Sequence, residues 1–351
     1  MTRSVQQPIT LAKRDNDALV QVDDLHVRFP VAQGVVHAVR GVTFTIGRGE
    51  TVALVGESGS GKSTTGFALI RRYAPAEGTI SFDGRDITGV KGRELRKLRS
   101  DMQLVFQDPY ASLNPRMKVR DLVAEPLIVH GRAKPGPALD AEVGDLLEMC
   151  GLSRDAAQRY PNAFSGGERQ RIAIARALAL RPKLLVADEV VSALDVSIKA
   201  QIINLLVELQ RTHGLAYLFI SHDLAVVRNV AHRVMIMYAG KLVETGPTES
   251  IFTAPRHPYS VALLSAAPVA DPVTERARER VVLTGDVPSV LDPPDGCPFH
   301  SRCPLVVDRC RVDAPPLTDR GDGHLTACWR ADEVAAMPGS HTLADIPEGH
   351  S

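Results

Sequence analysis

The feature that most limits what this chain can be is one loop, Gly56-Glu57-Ser58-Gly59-Ser60-Gly61-Lys62-Ser63. It matches G-x-x-x-x-G-K-[ST] and lies between an apolar run, Val52 to Val55, and a stretch patterned as a helix. Glycines here let the backbone curl so that successive N–H groups converge on phosphate oxygens at a helix N-terminus, where the helix dipole also favours anions. A glycine-rich turn that binds nothing is the alternative, and the strand before the loop and the helix after it weigh against that. The predicted phosphate site comprises Gly56, Ser58, Gly59, Ser60, Gly61, Lys62, Ser63 and Thr64. Within it Lys62 is expected on the β- and γ-phosphates, Ser63 on Mg²⁺ and Thr64 near the α-phosphate.

Such a site needs a carboxylate at the end of a second apolar strand, to hold Mg²⁺ through water. Leu184-Leu185-Val186-Ala187-Asp188-Glu189 supplies it. Asp188 is expected to orient the metal and Glu189 to polarise the attacking water as general base. In isolation, two acids after a strand are an ordinary solvated strand end; beside a phosphate loop the reading reverses. Phe164-Ser165-Gly166-Gly167-Glu168-Arg169-Gln170 then precedes a helical stretch, Arg171 to Leu180. Ser165, Gly166 and Gly167 would put free N–H groups and a hydroxyl at a helix start, ready for an anion, although the string alone reads as a helix N-cap.

Together these elements resemble an ATP-binding-cassette (ABC) ATPase. The resemblance implies that the chain binds and hydrolyses ATP, and that Ser165, Gly166, Gly167 and Glu168 cap the γ-phosphate of ATP held by a partner cassette. It implies further roles for Gln107, in Val105-Phe106-Gln107-Asp108, as the glutamine that senses Mg²⁺ and the attacking water, and for Asp195, in Ser192-Ala193-Leu194-Asp195, as a dimer contact. His222, after the apolar run Tyr217 to Ile220, matches the switch histidine at the γ-phosphate, and Phe29 the aromatic that stacks on adenine. Read without the resemblance, a lone His after a strand or a Phe within one is structural by default. Two departures stand out: Val190 where the family usually has Pro, and Glu168 where the signature commonly has Gln. Glu168 is expected to add negative charge near a triphosphate and slow closure.

Around these motifs, short apolar strands alternate with amphipathic helices. Val52 to Val55, Leu184 to Ala187, Tyr217 to Ile220 and Val234 to Tyr238 read as buried strands. Asp195 to Arg211 places Ile198, Ile202, Leu205, Leu206 and Leu209 on one helical face. Earlier, Val27, Phe29, Val42, Phe44 and Ile46 alternate as in a β-rich segment. The expected fold is α/β, a P-loop NTPase ABC cassette with a RecA-like core, an antiparallel β subdomain and a helical subdomain, plus a small Cys-containing C-terminal extension. The boundaries expected are a flexible tail at 1–18, the nucleotide-binding domain at 19–255 with its helical subdomain at about 105–180, the extension at 256–335, and a flexible tail at 336–351.

The 41 basic and 41 acidic residues cancel, so no overall field draws the chain to nucleic acid or to an anionic membrane. Charge at Arg3, Lys13, Arg14, Asp15 and Asp17 leaves no apolar core for a secretory signal. No stretch approaches the roughly 20 apolar residues of a membrane-spanning helix, since even Ile172 to Val186 is broken by Arg176, Arg181 and Lys183. The expected location is cytoplasmic, with any membrane association peripheral.

From Val22 nearly to the C-terminus the chain resembles, more narrowly, the ATP-binding subunit of a bacterial dipeptide or oligopeptide importer, the second (F-type) of its two related ATPases. The resemblance rests on Val105-Phe106-Gln107-Asp108-Pro109-Tyr110-Ala111-Ser112-Leu113-Asn114-Pro115, on Val191-Ser192-Ala193-Leu194-Asp195-Val196-Ser197 and on Arg256-His257-Pro258-Tyr259. It implies a homologous partner ATPase, a pair of membrane permease subunits, an extracytoplasmic peptide-binding protein, and a grip by Pro109 to Arg116 on a permease coupling helix. Read from the residues alone, that last stretch is a turn-rich surface loop with an exposed aromatic. Relatives carry peptides, nickel or opines, and the cargo is not written in this chain. A ribosome-acting cassette protein would carry two phosphate loops, and a chromosome-structuring ATPase would need a long coiled coil between Lys62 and Ser165. Neither pattern is present.

Cys297, Cys303, Cys310 and Cys328 are spaced C-x5-C-x6-C-x17-C in a proline-rich tail, while Cys150 stands apart as an expected buried helix residue. Four thiolates suit Zn²⁺ or an iron–sulfur cluster, yet the spacing matches neither tight zinc pairs nor ferredoxin runs. The importer resemblance implies a [4Fe-4S] cluster; Zn²⁺ and unliganded thiols stay open.

Overall fold

The computed structural model describes residues 18–267 and 281–337. The expected tails at 1–18 and 336–351 fall almost wholly outside the described residues, as does the 268–280 part of the expected boundary region.

Three strands open the chain, β1 (Ala18–Val31), β2 (Gly34–Gly47) and β3 (Thr51–Val55). β1 and β2 pair antiparallel with Val22 opposite Phe44 and Leu25 opposite Val42. With β4 (Glu77–Phe82) and β5 (Arg85–Asp86) they make a sheet of order β2-β1-β4-β5, the expected antiparallel flank. β3 instead enters a second sheet, with β6 (Met102–Val105), β7 (Leu184–Asp188), β8 (Ala216–Ile220), β9 (Arg233–Tyr238) and β10 (Lys241–Pro247). Within it β9, β3, β8, β7 and β6 run parallel, so β3, β7 and β8 are buried along their whole length.

Alternation along these strands sorts their side chains to two faces. Val52, Leu54, Val186 and Ile220 share a core with the antiparallel flank, whereas Ala53, Val55, Ala187 and Phe219 share one with the helices beyond. Leu54 and Leu218 are fully buried, and shortening a Leu in such a site to Ala costs about 2–5 kcal/mol. The helices α1 (Lys62–Leu69), α2 (Gly92–Leu98), α3 (Pro109–Ser112), α4 (Val119–Val129), α5 (Pro137–Met149), α6 (Gly166–Leu178), α7 (Val196–His213), α8 (Leu224–Val230), α9 (Thr248–Thr253) and α10 (Pro258–Ala266) surround the sheets; α1 and α2 pack on the first core, and α4, α5 and α6 pack together in the second. α7 buries Ile202, Ile203, Leu205, Leu206 and Leu209, the face expected from its spacing, with Ile198 partly buried at its edge.

The C-terminal region joins this sheet. A hairpin of β11 (Thr318–Asp319) and β12 (Leu325–Thr326) pairs with β10, Glu244 opposite Thr326. Glu244 is fully buried and accepts hydrogen bonds from the backbone N–H groups of Arg256 at 2.6 Å and His257 at 3.0 Å, with His324 Nε2 at 2.6 Å. A buried carboxylate needs such partners, because desolvating it uncompensated costs several kcal/mol. The Arg256-His257-Pro258-Tyr259 string is therefore structural in part: His257 Nδ1 accepts from Tyr259 N–H at 3.1 Å and so caps α10. Burial holds the His257 imidazole near 3, far below its ordinary value, so it stays neutral.

Candidate functional site

The phosphate loop joins the end of β3 to the start of α1, where the sequence placed it. Gly56 and Gly61 have φ of 153° and 104°. A Cβ on Gly56 would sit 2.2 Å from the Met237 carbonyl oxygen, and one on Gly61 2.3 Å from that of Ala38. Both are glycine for two reasons, the positive φ and the absence of room. Gly59, at φ 78°, meets nothing within 4 Å. Lys62 is buried and donates from Nζ to the carbonyls of Gly56 at 2.8 Å and Glu57 at 2.9 Å. Its burial lowers the ammonium pKa, an effect opposed by Glu189, Asp188 and Glu57.

Ser63 Oγ donates to Asp188 Oδ1 at 2.9 Å, so the loop hydroxyl and the strand-end carboxylate meet. That pair of hard oxygen donors fits Mg²⁺, which takes one or two protein ligands and fills its octahedron with phosphate oxygens and water. Burial raises the Asp188 pKa and the neighbouring Glu189 adds to the rise, while Ser63 and Lys62 pull it down. Glu189, one residue on, has φ 49°, a left-handed conformation uncommon for a non-glycine residue. It aims its carboxylate at two predicted partners. Gln107 Nε2 donates to Oε2 at 3.0 Å, and His222 Nδ1 lies 3.4 Å from Oε1. Two residues that follow two other strands, β6 and β8, thus converge on the one carboxylate that follows β7.

The signature segment departs from the expectation of a free helix start. The helix begins at Gly166 rather than near Arg171, and Ser165 and Glu168 close a capping box. Ser165 donates from its backbone N and from Oγ to Glu168 Oε2, both at 2.8 Å, and Glu168 N–H donates to Ser165 Oγ at 3.3 Å. The backbone and hydroxyl bonds from Ser165 hold the Glu168 carboxyl below the usual range. Glu168 is thus an ionised cap on its own helix. Gly167 is also a packing residue, since a Cβ there would lie 2.3 Å from Ile198 Cγ2 on α7.

Asp195 is the N-cap residue of α7. Phe29 is half-buried and meets Tyr73 edge-on with centroids 4.9 Å apart. Tyr110, in the predicted coupling loop, is exposed with the Arg169 guanidinium 4.0 Å over its ring. Sequence reading missed a group that touches the phosphate loop from the C-terminal region: Tyr259 Oη accepts from Glu57 N–H at 2.9 Å, and Arg302 Nη1 lies 2.9 Å from Glu57 Oε2.

Cys150 is the C-cap of α5 and is fully buried, as expected; burial pushes its thiol to about 12. Burial also raises Cys297 and Cys328 to about 11 and Cys303 to about 12; Cys297 is raised further by Cys310 and Cys328, Cys303 by Cys328, Cys297 and Cys310, and Cys328 by Cys310. The four thiols therefore lie within electrostatic reach of one another. Among the described residues no group of three or more His, Cys, Asp or Glu side chains is gathered as the ligand set of a metal ion.

The chain is similar to known proteins in sequence and in fold. Residues 39–192 match the ABC transporter family, and residues 243–310 match the oligopeptide/dipeptide transporter C-terminal region. A probable peptide ABC transporter ATP-binding protein (y4tS) of Sinorhizobium fredii is 49% identical over 94% of this chain and 95% of its own length. The oligopeptide transport ATP-binding protein AppF of Bacillus subtilis is 46% identical over 90% of this chain and 98% of its own. Among solved structures, the ATP-binding cassette MJ0796 as a post-hydrolysis dimer with ADP and Pi superposes with a TM-score of 0.60, at 31% identity over 65% of this chain and 98% of that one. The phosphate loop, the strand-end acids and the matched C-terminal region make the same assignment: the chain belongs to the ATP-hydrolysing, ATP-binding subunits of ABC transporters, in the branch that carries the oligopeptide/dipeptide transporter C-terminal region.

Proposed function

We propose that this chain powers the import of peptides, acting as one ATPase of a cassette pair docked on permease subunits at the cytoplasmic face of the cell membrane. The observation that carries the catalytic half is the convergence of Gln107, Glu189 and His222 beside the Ser63–Asp188 pair. The transport half is supported by the peptide transporters among the relatives. Among the described residues no helix is long and apolar enough to cross a membrane, so the permease must supply the channel.

In this reading the loop N–H groups and Lys62 hold the phosphate chain of ATP. An ammonium has three donors; Lys62 uses two on the loop carbonyls, which would leave the third for a phosphate oxygen. Ser63 and Asp188 would hold Mg²⁺, which when bound neutralises charge on the β- and γ-phosphates. Glu189, oriented by Gln107, takes a proton from water as the water oxygen bonds to the γ-phosphorus and the bond to the β–γ bridging oxygen breaks. His222 holds the γ-phosphate, and Phe29 stacks on adenine. Ser165, Gly166 and Gly167 face the nucleotide of the partner cassette, with Glu168 closing the capping box behind them and Asp195 at the dimer seam. Closure moves the coupling helices gripped near Tyr110.

The [4Fe-4S] reading of Cys297, Cys303, Cys310 and Cys328 rests on the resemblance to peptide importers and on thiolates being the ligands such a cluster takes; among the described residues no three of them are gathered as the ligand set of a metal ion. Anaerobic purification tests this part: a brown chain containing iron is expected, and a colourless, iron-free one overturns it.

Affinity purification from membranes tests the main reading. A permease pair, a homologous ATPase and a peptide-binding protein should accompany the chain, and uptake of labelled peptide into reconstituted vesicles should require ATP. Recovery without any membrane subunit would refute it.

A further inference from the structure

Every polar handle of one phosphate-loop residue, Glu57, is held, and two of the holders come from outside the nucleotide-binding fold. The Glu57 carbonyl accepts from Lys62 Nζ at 2.9 Å. Its N–H donates to Tyr259 Oη at 2.9 Å. Its carboxylate receives Arg302 Nη1 at 2.9 Å on Oε2 and 3.2 Å on Oε1. The same Nη1 lies 3.3 Å from the Tyr238 hydroxyl at the end of β9, whose neighbour Met237 abuts Gly56 and Gly61.

Arg302 is itself rigidly placed, its side chain being only 10% exposed. Its backbone N–H donates to the Phe299 carbonyl at 3.0 Å, and Phe299 is fully buried between Tyr238 and Tyr259, with ring centroids 5.2 and 5.4 Å away. Tyr238 and Tyr259 stack edge-on at 4.6 Å. The turn continues to the cysteines, because Cys297 N–H donates to the Cys310 carbonyl at 2.8 Å and His300 N–H to that of Cys297 at 3.1 Å. A chain of packed rings and hydrogen bonds therefore runs from the cysteine-rich turn to the loop carbonyl that steadies Lys62.

We infer that Arg302 and Tyr259 are positioning residues for the phosphate loop, acting through Glu57, so that the C-terminal extension sets the nucleotide affinity of its own chain. The physical reason is preorganisation. A glycine-rich loop must adopt one backbone path for its N–H groups to converge on phosphate, and clamps on Glu57 reduce the freedom lost on binding. This ion pair differs from ordinary surface pairs in having one nearly buried, ring-packed partner. The inference rests on the assignment of the loop to ATP.

Purified full-length chain, titrated with a fluorescent ATP analogue, and the reconstituted transporter, assayed for ATPase activity, test it together. Removing a hydrogen bond to a charged group at a preorganised site predicts a Kd and KM for ATP about tenfold higher in Arg302→Ala, with kcat at saturating ATP retained. Arg302→Lys, which keeps the charge facing Glu57, recovers most of the loss. Tyr259→Phe, nearly isosteric and expected to fold even if Arg302→Ala does not, raises Kd in the same direction. In a Glu57→Gln background, Arg302→Ala should add little further, because the two residues form one interaction. Unchanged Kd in both single variants, or a fall in kcat with Kd unchanged, overturns the inference. Lys62→Ala serves as the separate check on the loop: if it binds nucleotide like the parent, the ATP assignment fails rather than the role of Arg302.

Discussion

Gln107 and Glu189 are 82 positions apart in sequence, yet Gln107 Nε2 donates to Glu189 Oε2 at 3.0 Å while His222 Nδ1 sits 3.4 Å from the other carboxylate oxygen. Held on both sides, the carboxylate keeps one orientation, which suits a base that must meet a water in line with the γ-phosphate. Glu189→Gln should bind ATP as the parent does and lose hydrolysis by at least about 10²-fold. His222→Ala should slow turnover and, having lost the contact to the γ-phosphate, weaken the binding of ATP more than that of ADP. Single-turnover phosphate release beside equilibrium nucleotide binding separates the two effects, and a Glu189→Gln variant at full speed would remove Glu189 as the base.

The loop glycines differ in what they tolerate. Alanine at Gly56 or Gly61 would drive Cβ to 2.2 or 2.3 Å from a backbone oxygen, on top of a positive φ. At Gly59 only the φ of 78° opposes a side chain, since nothing lies within 4 Å. Gly59→Ala should therefore cost roughly 1 kcal/mol of stability and retain nucleotide binding. Gly56→Ala and Gly61→Ala should lose binding outright. Thermal unfolding with and without ATP measures both quantities, and equal effects at Gly56 and Gly59 would contradict the steric account.

Sequence legibility followed the range of the interactions. The phosphate loop, Asp188 and the buried strands are local patterns whose chemistry is complete within a few residues, and the structure assembles them as the spacing demanded. The signature was legible as a motif but not in its hydrogen bonding. A Ser-x-x-Glu string also spells a capping box, and which acceptor Ser165 takes depends on the rotamer of Glu168. Least legible were Tyr259 and Arg302, whose contact with Glu57 joins positions 202 and 245 residues apart. Neither residue belongs to a motif with a chemical reading of its own, so nothing in one sequence could pair them. The same holds for Glu244 and His324, which staple the C-terminal hairpin through a buried carboxylate 80 residues away.

Cys150 offers a check on packing independent of catalysis. It is fully buried and its thiol is pushed to about 12, so both access and ionisation oppose alkylation. Iodoacetamide at neutral pH should leave Cys150 unmodified in the native chain and modify it after denaturation. Peptide mapping by mass spectrometry reads the outcome; rapid native labelling at this position would show that α5 does not pack on the core as described.

Glu168 decides whether the acidic signature is a handicap. An unpaired carboxylate there would repel the partner's nucleotide, the effect expected from sequence. Instead the carboxylate accepts both Ser165 donors and faces the positive end of its own helix, where negative charge is favourable. Gln can close the same box, so Glu168→Gln should keep the thermal midpoint and leave the ATPase rate of the assembled transporter within about twofold of the parent. Glu168→Ala breaks the box, with a loss of about 1 kcal/mol, seen as a midpoint lower by roughly 2 °C. The pH dependence has a definite sign. Because the bonds from Ser165 depress the folded pKa, the contribution is present above the unfolded carboxylate value of about 4.3 and is lost as pH falls through the lower folded value. The stability gap between the parent and Glu168→Ala should therefore be full at pH 7 and shrink on acidification below pH ~4. A Glu168→Gln variant that hydrolyses ATP many times faster than the parent would restore the repulsion account, because only a carboxylate facing the partner's phosphates would release that much on losing its charge.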